Sequence, residues 1–226
     1  MREIVLDTET TGFKPEEGHR LVEIGCLELV NHVQTGNRFH VYINPERPVP
    51  PEAAAVHGLT DEFLADKPVF ETVAAEFVAF IGDSPLVIHN ASFDMKFLRW
   101  ELKLLGYPEL KNNAIDTLMM ARQKFPGAPA TLDALCKRFG VDNSGRTFHG
   151  ALLDAQLLAE VYLELLGGRQ AGLSLTGAPV ARRSQEAGGT GTRTRREPRP
   201  HAPTAEELEA HKTMLGQLKN ALWLAE

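Results

Sequence analysis

The stretch Ile4-Val-Leu-Asp-Thr-Glu9 is an apolar run that ends in two carboxylates, Asp7 and Glu9. Side chains alternate along a β-strand, so these two acids project from the same face. Acids at the end of a buried strand repel each other and lose hydration, and a divalent cation is the usual compensation. The alternative is a solvated strand end with two ordinary surface acids. The pair alone leaves both interpretations open.

The composition is that of a globular protein, with 226 residues of which 43% are hydrophobic and 24% are charged. This length fits one domain of ordinary size with additional material. The N-terminus has no apolar run long enough for a signal peptide or a membrane span. Cys26 and Cys136 lie far apart and form no C-x-x-C pair. We therefore expect a reduced, cytoplasmic protein with neither a disulfide framework nor a cysteine metal site.

The net charge of -6 is unevenly distributed along the chain. Residues 168–203 carry seven arginines against Glu186 and Glu197, a local charge of about +5, which leaves about −11 for the remainder. A body this acidic does not hold long nucleic acid by phosphate neutralisation alone. If nucleic acid is the substrate, another part of the assembly must keep it there.

The order of elements predicts an α/β sheet with an antiparallel edge. Three segments, 2–8, 20–30 and 38–43, alternate as strands of a meander. The prolines that follow residue 44 end the meander, and a buried strand is predicted at 85–89. This order of a β-meander followed by alternating helix and strand is typical of such sheets. Helices are predicted at 69–81, 92–105, 117–124, 131–139 and 150–166.

The composition changes after Gly168. Residues 169–203 contain no aromatic residue and are rich in Gly, Pro, Ser, Thr and Arg, which is typical of a flexible linker. A helical segment is predicted at 204–226, beginning with a capping box of Thr204 and Glu207. Because a lone helix of this length is marginal in water, its apolar face needs a partner. That face contains Leu208, Leu215, Leu218 and Leu222.

Two acids fall on the apolar sides of their predicted helices. Asp94 lies opposite the polar face of helix 92–105, although Glu101 falls near it. Asp154 shares a stripe with Leu158 and Val161. A carboxylate on the core side of a helix costs several kcal/mol, roughly, unless it is charge-paired or bound to metal. The alternative is that each acid caps a neighbouring element or pairs with an arginine.

Three motifs carry a resemblance to a known family. Asp7-Thr-Glu-Thr-Thr-Gly12, His89-Asn-Ala-Ser-Phe-Asp94 and His149-Gly-Ala-Leu-Leu-Asp154 resemble, in order and context, the exonuclease motifs of the DEDDh family of 3′–5′ exonucleases. Within that family the chain resembles the epsilon, or proofreading, subunits of bacterial DNA polymerase III. The resemblance covers about residues 1–168. It implies a ribonuclease H-like fold, a five-stranded mixed sheet flanked by helices, of which four strands are placed above.

The resemblance also implies the roles of individual residues. It makes Asp7, Glu9, Asp94 and Asp154 the ligands of two divalent metal ions, Mg²⁺ or Mn²⁺, which suit hard oxygen donors. His149 becomes the general base that takes a proton from the attacking water, so that the rate falls at acid pH. Thr10 is implied to contact the terminal nucleotide, and His57 to pack against its base or sugar. We interpret Asn90, Asp116 and Asp133 as structural.

The tail adds two predicted partners. Gln170-Ala-Gly-Leu-Ser-Leu175 fits the Gln-x-x-Leu-x-Leu form of peptides that bind bacterial sliding clamps through Gln170, Leu173 and Leu175. The alternative is an ordinary linker with two leucines. By resemblance, the C-terminal helix docks on the catalytic (alpha) subunit of DNA polymerase III. Polymerase and clamp would then deliver the DNA 3′ terminus to the acidic body.

Three functional hypotheses follow from the sequence. The leading one is a metal-dependent 3′–5′ exodeoxyribonuclease that removes misincorporated nucleotides at replication forks, in the cytoplasm and associated with the nucleoid. The second is an RNA-trimming exoribonuclease of the same family, which would leave the clamp-like peptide and the terminal helix without a role. The third is mainly a structural tether between polymerase and clamp, and the intact set of five catalytic residues argues against it as the sole function.

Overall fold

A computed structural model describes residues 1–145, 148–168 and 203–217. Its centre is a five-stranded mixed sheet with the strand order β3-β2-β1-β4-β5. Strands β1, β2 and β3 pair antiparallel, while β4 lies parallel to β1 and β5 parallel to β4. The strands are β1 (Arg2–Thr10), β2 (Leu21–Val30), β3 (Val33–Tyr42), β4 (Leu86–Ile88) and β5 (Ala114–Asp116).

Helices cover both faces of this sheet. On one face, α3 and α4 enclose a core that includes Ile4 and Leu6 of β1. On the other face, α5, α6 and α7 enclose a core that includes Val5. The helices are α1 (Pro51–His57), α2 (Asp61–Leu64), α3 (Phe70–Ile81), α4 (Ala91–Leu104), α5 (Thr117–Lys124), α6 (Leu132–Phe139) and α7 (Ala151–Leu166).

The predicted fold class is confirmed, and the differences in detail have local causes. The fifth strand, β5, has three residues and offers too few positions for an alternating pattern to be recognised. Strand β3 begins at Val33, five residues earlier than predicted, because exposed polar residues of the hairpin still pair with β2. Helix α1 was missed, since Pro50 and Pro51 were interpreted only as the end of the meander. Proline is favoured at the first helical position, and Pro51 occupies it.

Glu101 on α4 is a buried acid whose partner is an arginine. Its carboxylate accepts hydrogen bonds from Nε of Arg20 at 2.7 Å and from the second guanidinium nitrogen at 2.9 Å. Glu101 is 1% exposed, whereas the Arg20 side chain is 27% exposed. Pairing with an arginine, the alternative considered for acids on the apolar sides of helices, therefore applies to Glu101.

We expect Glu101→Ala to lower the free energy of unfolding by about 2 kcal/mol at neutral pH, because Arg20 would keep a partly buried charge without its partner. Chemical denaturation measures the loss. Glu109→Ala is the matched control, since Glu109 pairs with Arg99 across 4.0 Å at the surface and such pairs contribute little. Equal stability of the two variants would contradict the role assigned to the Arg20–Glu101 pair.

The C-terminal helix α8 (Ala205–Gln217) belongs to a second unit of the chain and is described by itself. Its predicted capping box is confirmed, because the Thr204 backbone N–H donates to Glu207 at 2.8 Å and the Glu207 N–H donates to Oγ1 of Thr204 at 3.3 Å. Leu218, Leu222 and the linker at 169–202 lie outside the described residues. Among the helices that are described, none is long and apolar enough to span a membrane.

Candidate active site

The end of β1 distributes polar side chains to both faces of the sheet. Thr8 follows Ile4 and Leu6 in the alternation and therefore faces α4, whereas Asp7 and Glu9 follow Val5 and face α7. The Thr8 hydroxyl donates a 2.7 Å hydrogen bond to Oδ1 of Asp94 in the first turn of α4. The end of β1 thus directs its two acids toward α7, while Thr8 holds the acid of α4 on the opposite face.

Helix α7 comes close to β1 because Gly25 of β2 lies beneath its first turn. A Cβ at Gly25 would lie 2.3 Å from the backbone nitrogen of Leu152 and 2.4 Å from the carbonyl carbon of Ala151, which no side chain can occupy. Gly25 pairs directly opposite Asp7. The missing side chain therefore sets how closely Asp154, in the same turn of α7, approaches the acids of β1.

His149 stands immediately before α7 and beside two of the acids. Its Nδ1 lies 3.4 Å from Oδ2 of Asp154. Glu9, His149 and Asp154 each offer a possible ligand atom, and these atoms lie within 4.8 Å of one another. The side chain of Asp154 is 4% exposed and that of His149 is 48% exposed. The carboxylates are thus held in the protein, while the imidazole reaches solvent.

Asp94 is a buried acid of the site whose pKa is raised. Burial raises its pKa to about 7, against the opposing hydrogen bond from Thr8. No described Lys or Arg forms an ion pair with Asp94. An ionised carboxylate in this position needs a cation that the described residues do not supply.

A cleft of about 730 Å³ brings the four acids and His149 together. Its ligand atoms are carboxylate oxygens with one imidazole, and buried acids that gain from a bound cation fit a divalent metal with hard-oxygen preference. His89 lies on the same cleft, with its Nδ1 2.9 Å from the Thr117 hydroxyl, and burial lowers its pKa. The residues present therefore fit a divalent metal centre.

A second, more apolar cavity of about 460 Å³ adjoins this cleft, since Thr8, Glu9 and Phe93 line both. Thr10 and His57 line the second cavity. Nδ1 of His57 accepts a 3.0 Å hydrogen bond from the Leu59 backbone N–H, so the neutral ring carries its proton on Nε2. His57 is 5% exposed, and its Nε2 makes no hydrogen bond with any described residue. Burial lowers the pKa of this histidine.

The remaining sequence-based assignments have clear structural surroundings. Asp116 caps α5, because its carboxylate accepts from the backbone nitrogens of Leu118 and Met119. Asp133 lies in the first turn of α6 and accepts a 3.0 Å hydrogen bond from the Asn143 side chain. Asp133 and Asn90 nevertheless line the cleft. Gln170, Leu173 and Leu175 lie outside the described residues.

Two residues of the site were missed from the sequence. Thr8 stands between the two acids of the first motif, and its alternation with Asp7 was the available signal for a role on the opposite face. Gly25 interrupts a strand, and an internal strand glycine often marks the close approach of another backbone. Both signals are visible in the sequence, although neither identifies the partner.

Comparisons with known proteins show the family and the fold of the chain. The model of the Exonuclease family, RNase T, matches residues 4–162. A DNA polymerase III subunit epsilon from Rickettsia felis is 54% identical over 222 residues, which cover 96% of this chain and 97% of that protein. Exonuclease X in complex with 5′ overhanging duplex DNA has a TM-score of 0.59 and 28% identity, covering 73% of this chain and 90% of that chain.

A more distant structure supports the fold. The nuclease domain of 3′hExo, a DEDDh family member bound to rAMP, has a TM-score of 0.62 at 21% identity, covering 73% of this chain and 91% of that chain. The five-stranded mixed sheet flanked by helices matches these neighbours, which confirms the expected ribonuclease H-like architecture. With its family model matched over residues 4–162, the chain belongs to the Exonuclease family.

Proposed function

We propose that the chain is a 3′–5′ exodeoxyribonuclease that removes misincorporated nucleotides, acting as the proofreading epsilon subunit of a DNA polymerase III. The observation that carries this proposal is the cleft in which four carboxylates and a half-exposed histidine meet at the end of β1. The similarity to an epsilon subunit over almost the whole chain supports the assignment to replication. Mismatched ends are preferred, because a frayed nucleotide reaches the cleft at a lower unpairing cost.

Enzymes of the DEDDh family depend on divalent metal ions, and we assign Asp7, Glu9, Asp94 and Asp154 as the residues that hold them here. Two ions, which we propose to be Mg²⁺ or Mn²⁺, would supply an acidified water and charge stabilisation of the leaving 3′ oxygen when bound. Thr8 keeps the Asp94 carboxylate oriented through its 2.7 Å hydrogen bond. The Asp154 side chain is 4% exposed, and the protein atoms around it limit the directions in which its carboxylate oxygens can point.

His149 is the proposed general base. Its imidazole is half exposed and therefore meets the water that attacks the terminal phosphodiester. Oδ2 of Asp154 lies 3.4 Å from Nδ1 of the ring that takes the proton. Protonation of the ring before the reaction would block this step, so the rate falls at acid pH.

The apolar cavity beside Glu9 is the proposed site of the terminal nucleotide. Thr10 and His57 line it, and these are the residues to which the sequence resemblance gives contacts with the terminal nucleotide. Nε2 of His57 is itself buried and makes no hydrogen bond with the described residues, so we propose that the ring contributes to the wall of this cavity by packing.

The decisive experiment compares substrates. Purified full-length protein with Mg²⁺ is given a DNA primer with a mismatched 3′ end, the same primer fully paired, and an RNA of equal length. We expect the mismatched DNA to be shortened from its 3′ end at the highest rate. Faster trimming of the RNA would replace this proposal with the exoribonuclease alternative, and no hydrolysis of either would leave only the tethering role.

The tail is proposed to deliver the substrate. Gln170, Leu173 and Leu175 would bind a sliding clamp, and the segment 204–226 would bind the catalytic alpha subunit. The extent of the similarity to the Rickettsia protein, 96% of this chain, supports a tail of common function. Tethering of this kind raises the effective concentration of the nuclease at the primer end. Because of this tethering, the acidic part of the chain would not need to bind DNA tightly by itself. Tethering would also bring the protein to the nucleoid.

We expect Gln170→Ala to weaken clamp binding by about tenfold, because the peptide loses its polar anchor. Hydrolysis of a short single-stranded DNA should not change. Gln185→Ala, in the same linker but outside the motif, is the matched control. Surface-immobilised clamp provides the binding measurement, and equal binding by the two variants would exclude the motif.

Truncation after residue 203 should abolish binding to the alpha subunit without loss of nuclease activity.

A further inference from the structure

The backbone around His149 is held by hydrogen bonds on both sides. Its imidazole is 48% exposed, and Nδ1 lies 3.4 Å from Oδ2 of Asp154. On the C-terminal side the backbone is fixed, because Gly150 caps α7 and its carbonyl accepts a 2.8 Å hydrogen bond from the Asp154 N–H.

On the N-terminal side, the chain is attached to the end of α1. The backbone N–H of His149 donates a 3.1 Å hydrogen bond to the carbonyl of Val56. The ring of Phe148 lies on Gly58, where a Cβ would stand 3.1 Å from Cγ of the phenylalanine. Gly58 ends α1 with a φ of 74°, in the left-handed region that favours glycine. Because Gly58 has no side chain, the ring of Phe148 can lie against its backbone.

The same turn forms part of the wall of the apolar cavity. Val56 and His57 line the cavity proposed for the terminal nucleotide, and Val56 also accepts the hydrogen bond from His149. Phe148 is 55% exposed, so the contact with Gly58 orders the residue next to His149 without burying it in the core. One short segment thus connects the nucleotide cavity with the proposed base.

We propose that Phe148 is a positioning residue for His149. Its ring on Gly58, together with the hydrogen bond to Val56, fixes the histidine to the wall of the cavity, so that the base is aligned when the terminal nucleotide lies there. This inference rests on the proposed function. Small displacements of a reacting group lower the rate steeply, since a shift of about 1 Å can cost about 100-fold.

The first test uses Phe148→Ala and Phe148→Leu with Mn²⁺ and the p-nitrophenyl ester of thymidine 5′-phosphate, which occupies the nucleotide cavity alone. We expect Phe148→Ala to lower kcat about tenfold with KM changed less than about twofold. Leucine retains an apolar side chain over Gly58 and should restore most of kcat. Unchanged kcat in the alanine variant, or a change confined to KM, would overturn the proposal.

The second test changes the other side of the contact. Gly58→Ala and Gly140→Ala place a methyl group at two left-handed helix ends, with φ of 74° and 70°, and Gly140 has nothing within 4 Å of the added atom. Both variants should lose similar stability, because the backbone strain is the same. Only Gly58→Ala should lower kcat, since only its methyl group displaces Phe148. Equal kcat in the two variants would count against the positioning role.

A readout without metal separates this inference from the proposed function. In the metal-free protein, the imidazole NMR signals of His149 should change on Asp154→Asn, because the two side chains are adjacent. We expect Phe148→Ala to reduce that change, and an undiminished change would overturn the positioning role. A wild-type protein that hydrolyses neither the ester nor DNA would overturn the proposed function, while the NMR result would still decide the contact.

Discussion

Asp94→Asn is expected to lower the rate of phosphodiester hydrolysis by about 10³-fold or more, while it makes the metal-free protein more stable at pH 8. The loss corresponds to about 4 kcal/mol of transition-state stabilisation, as expected when a proposed metal ligand loses its charge. Asparagine is nearly isosteric with aspartate and still accepts the hydrogen bond from Thr8 through Oδ1. The fold around the site should therefore remain intact.

The gain in stability follows from the pKa of Asp94. Because burial raises this pKa from 3.8 to about 7, the folded metal-free protein holds a proton that the unfolded chain has released. Stability of the wild type is therefore lost progressively as pH rises from about 4 to about 7. The asparagine of the variant does not titrate, so the advantage of the variant is absent at pH 4 and reaches on the order of 2 kcal/mol at pH 8.

Thermal unfolding at pH 4 and pH 8, with and without Mn²⁺, checks this expectation together with nuclease assays. Mn²⁺ should stabilise the wild type, since it binds the folded state, and should stabilise the variant much less. Asp133→Asn is the matched control, because Asp133 lines the same cleft but lies in the first turn of α6. An Asp94→Asn protein that is active, or that is less stable than the wild type at pH 8, would contradict the assignment.

His149→Ala is expected to lower kcat by about 10²–10⁴-fold, the usual contribution of a general base. In contrast to Asp94→Asn, it should leave the stabilisation by Mn²⁺ largely unchanged, because the four carboxylates remain. Single-turnover hydrolysis of a short DNA measures the chemical step. The decrease in rate that we expect for the wild type at acid pH should also change in the variant, since the group assigned to it is absent.

His211→Ala is the control for this substitution, because His211 lies on the exposed surface of α8, far along the chain from the nuclease motifs. It should have wild-type activity on short DNA. The assignment of His149 as the base would be wrong if His149→Ala kept full kcat. A loss of Mn²⁺ stabilisation equal to that of Asp94→Asn would instead make His149 primarily a metal ligand.

Much of the fold was predictable, because long elements carry clear periodicity. Helix α7 shows this well, since the stripe of Asp154, Leu158 and Val161 is buried as the pattern indicates. Strand β5 was not found, because its three residues are paired through parallel contacts with β4 that no local pattern reveals. Helix α1 was missed because a proline can either end a strand region or begin a helix. Only the contacts of α1 in the folded protein distinguish the two.

The acids of the site were predictable from the sequence, whereas the residues that position them were less so. A carboxylate on an apolar helix face has a high energetic cost, and that cost made Asp94 and Asp154 visible. The same criterion also selects Glu101, which pairs with Arg20 instead, so burial alone does not distinguish a metal ligand from an ion pair. The contacts of Thr8 and Phe148 join segments far apart in sequence and become visible only in three dimensions.

Gly25 limits the substitutions that this enzyme can accept during evolution. Every other amino acid carries a Cβ, and here that atom would meet the backbone of α7, which cannot move aside by a change of rotamer. Each replacement would push the helix that carries Asp154 away from the strand that carries Asp7. Gly25 should thus be as intolerant of substitution as the acids themselves, although it takes no part in the chemistry.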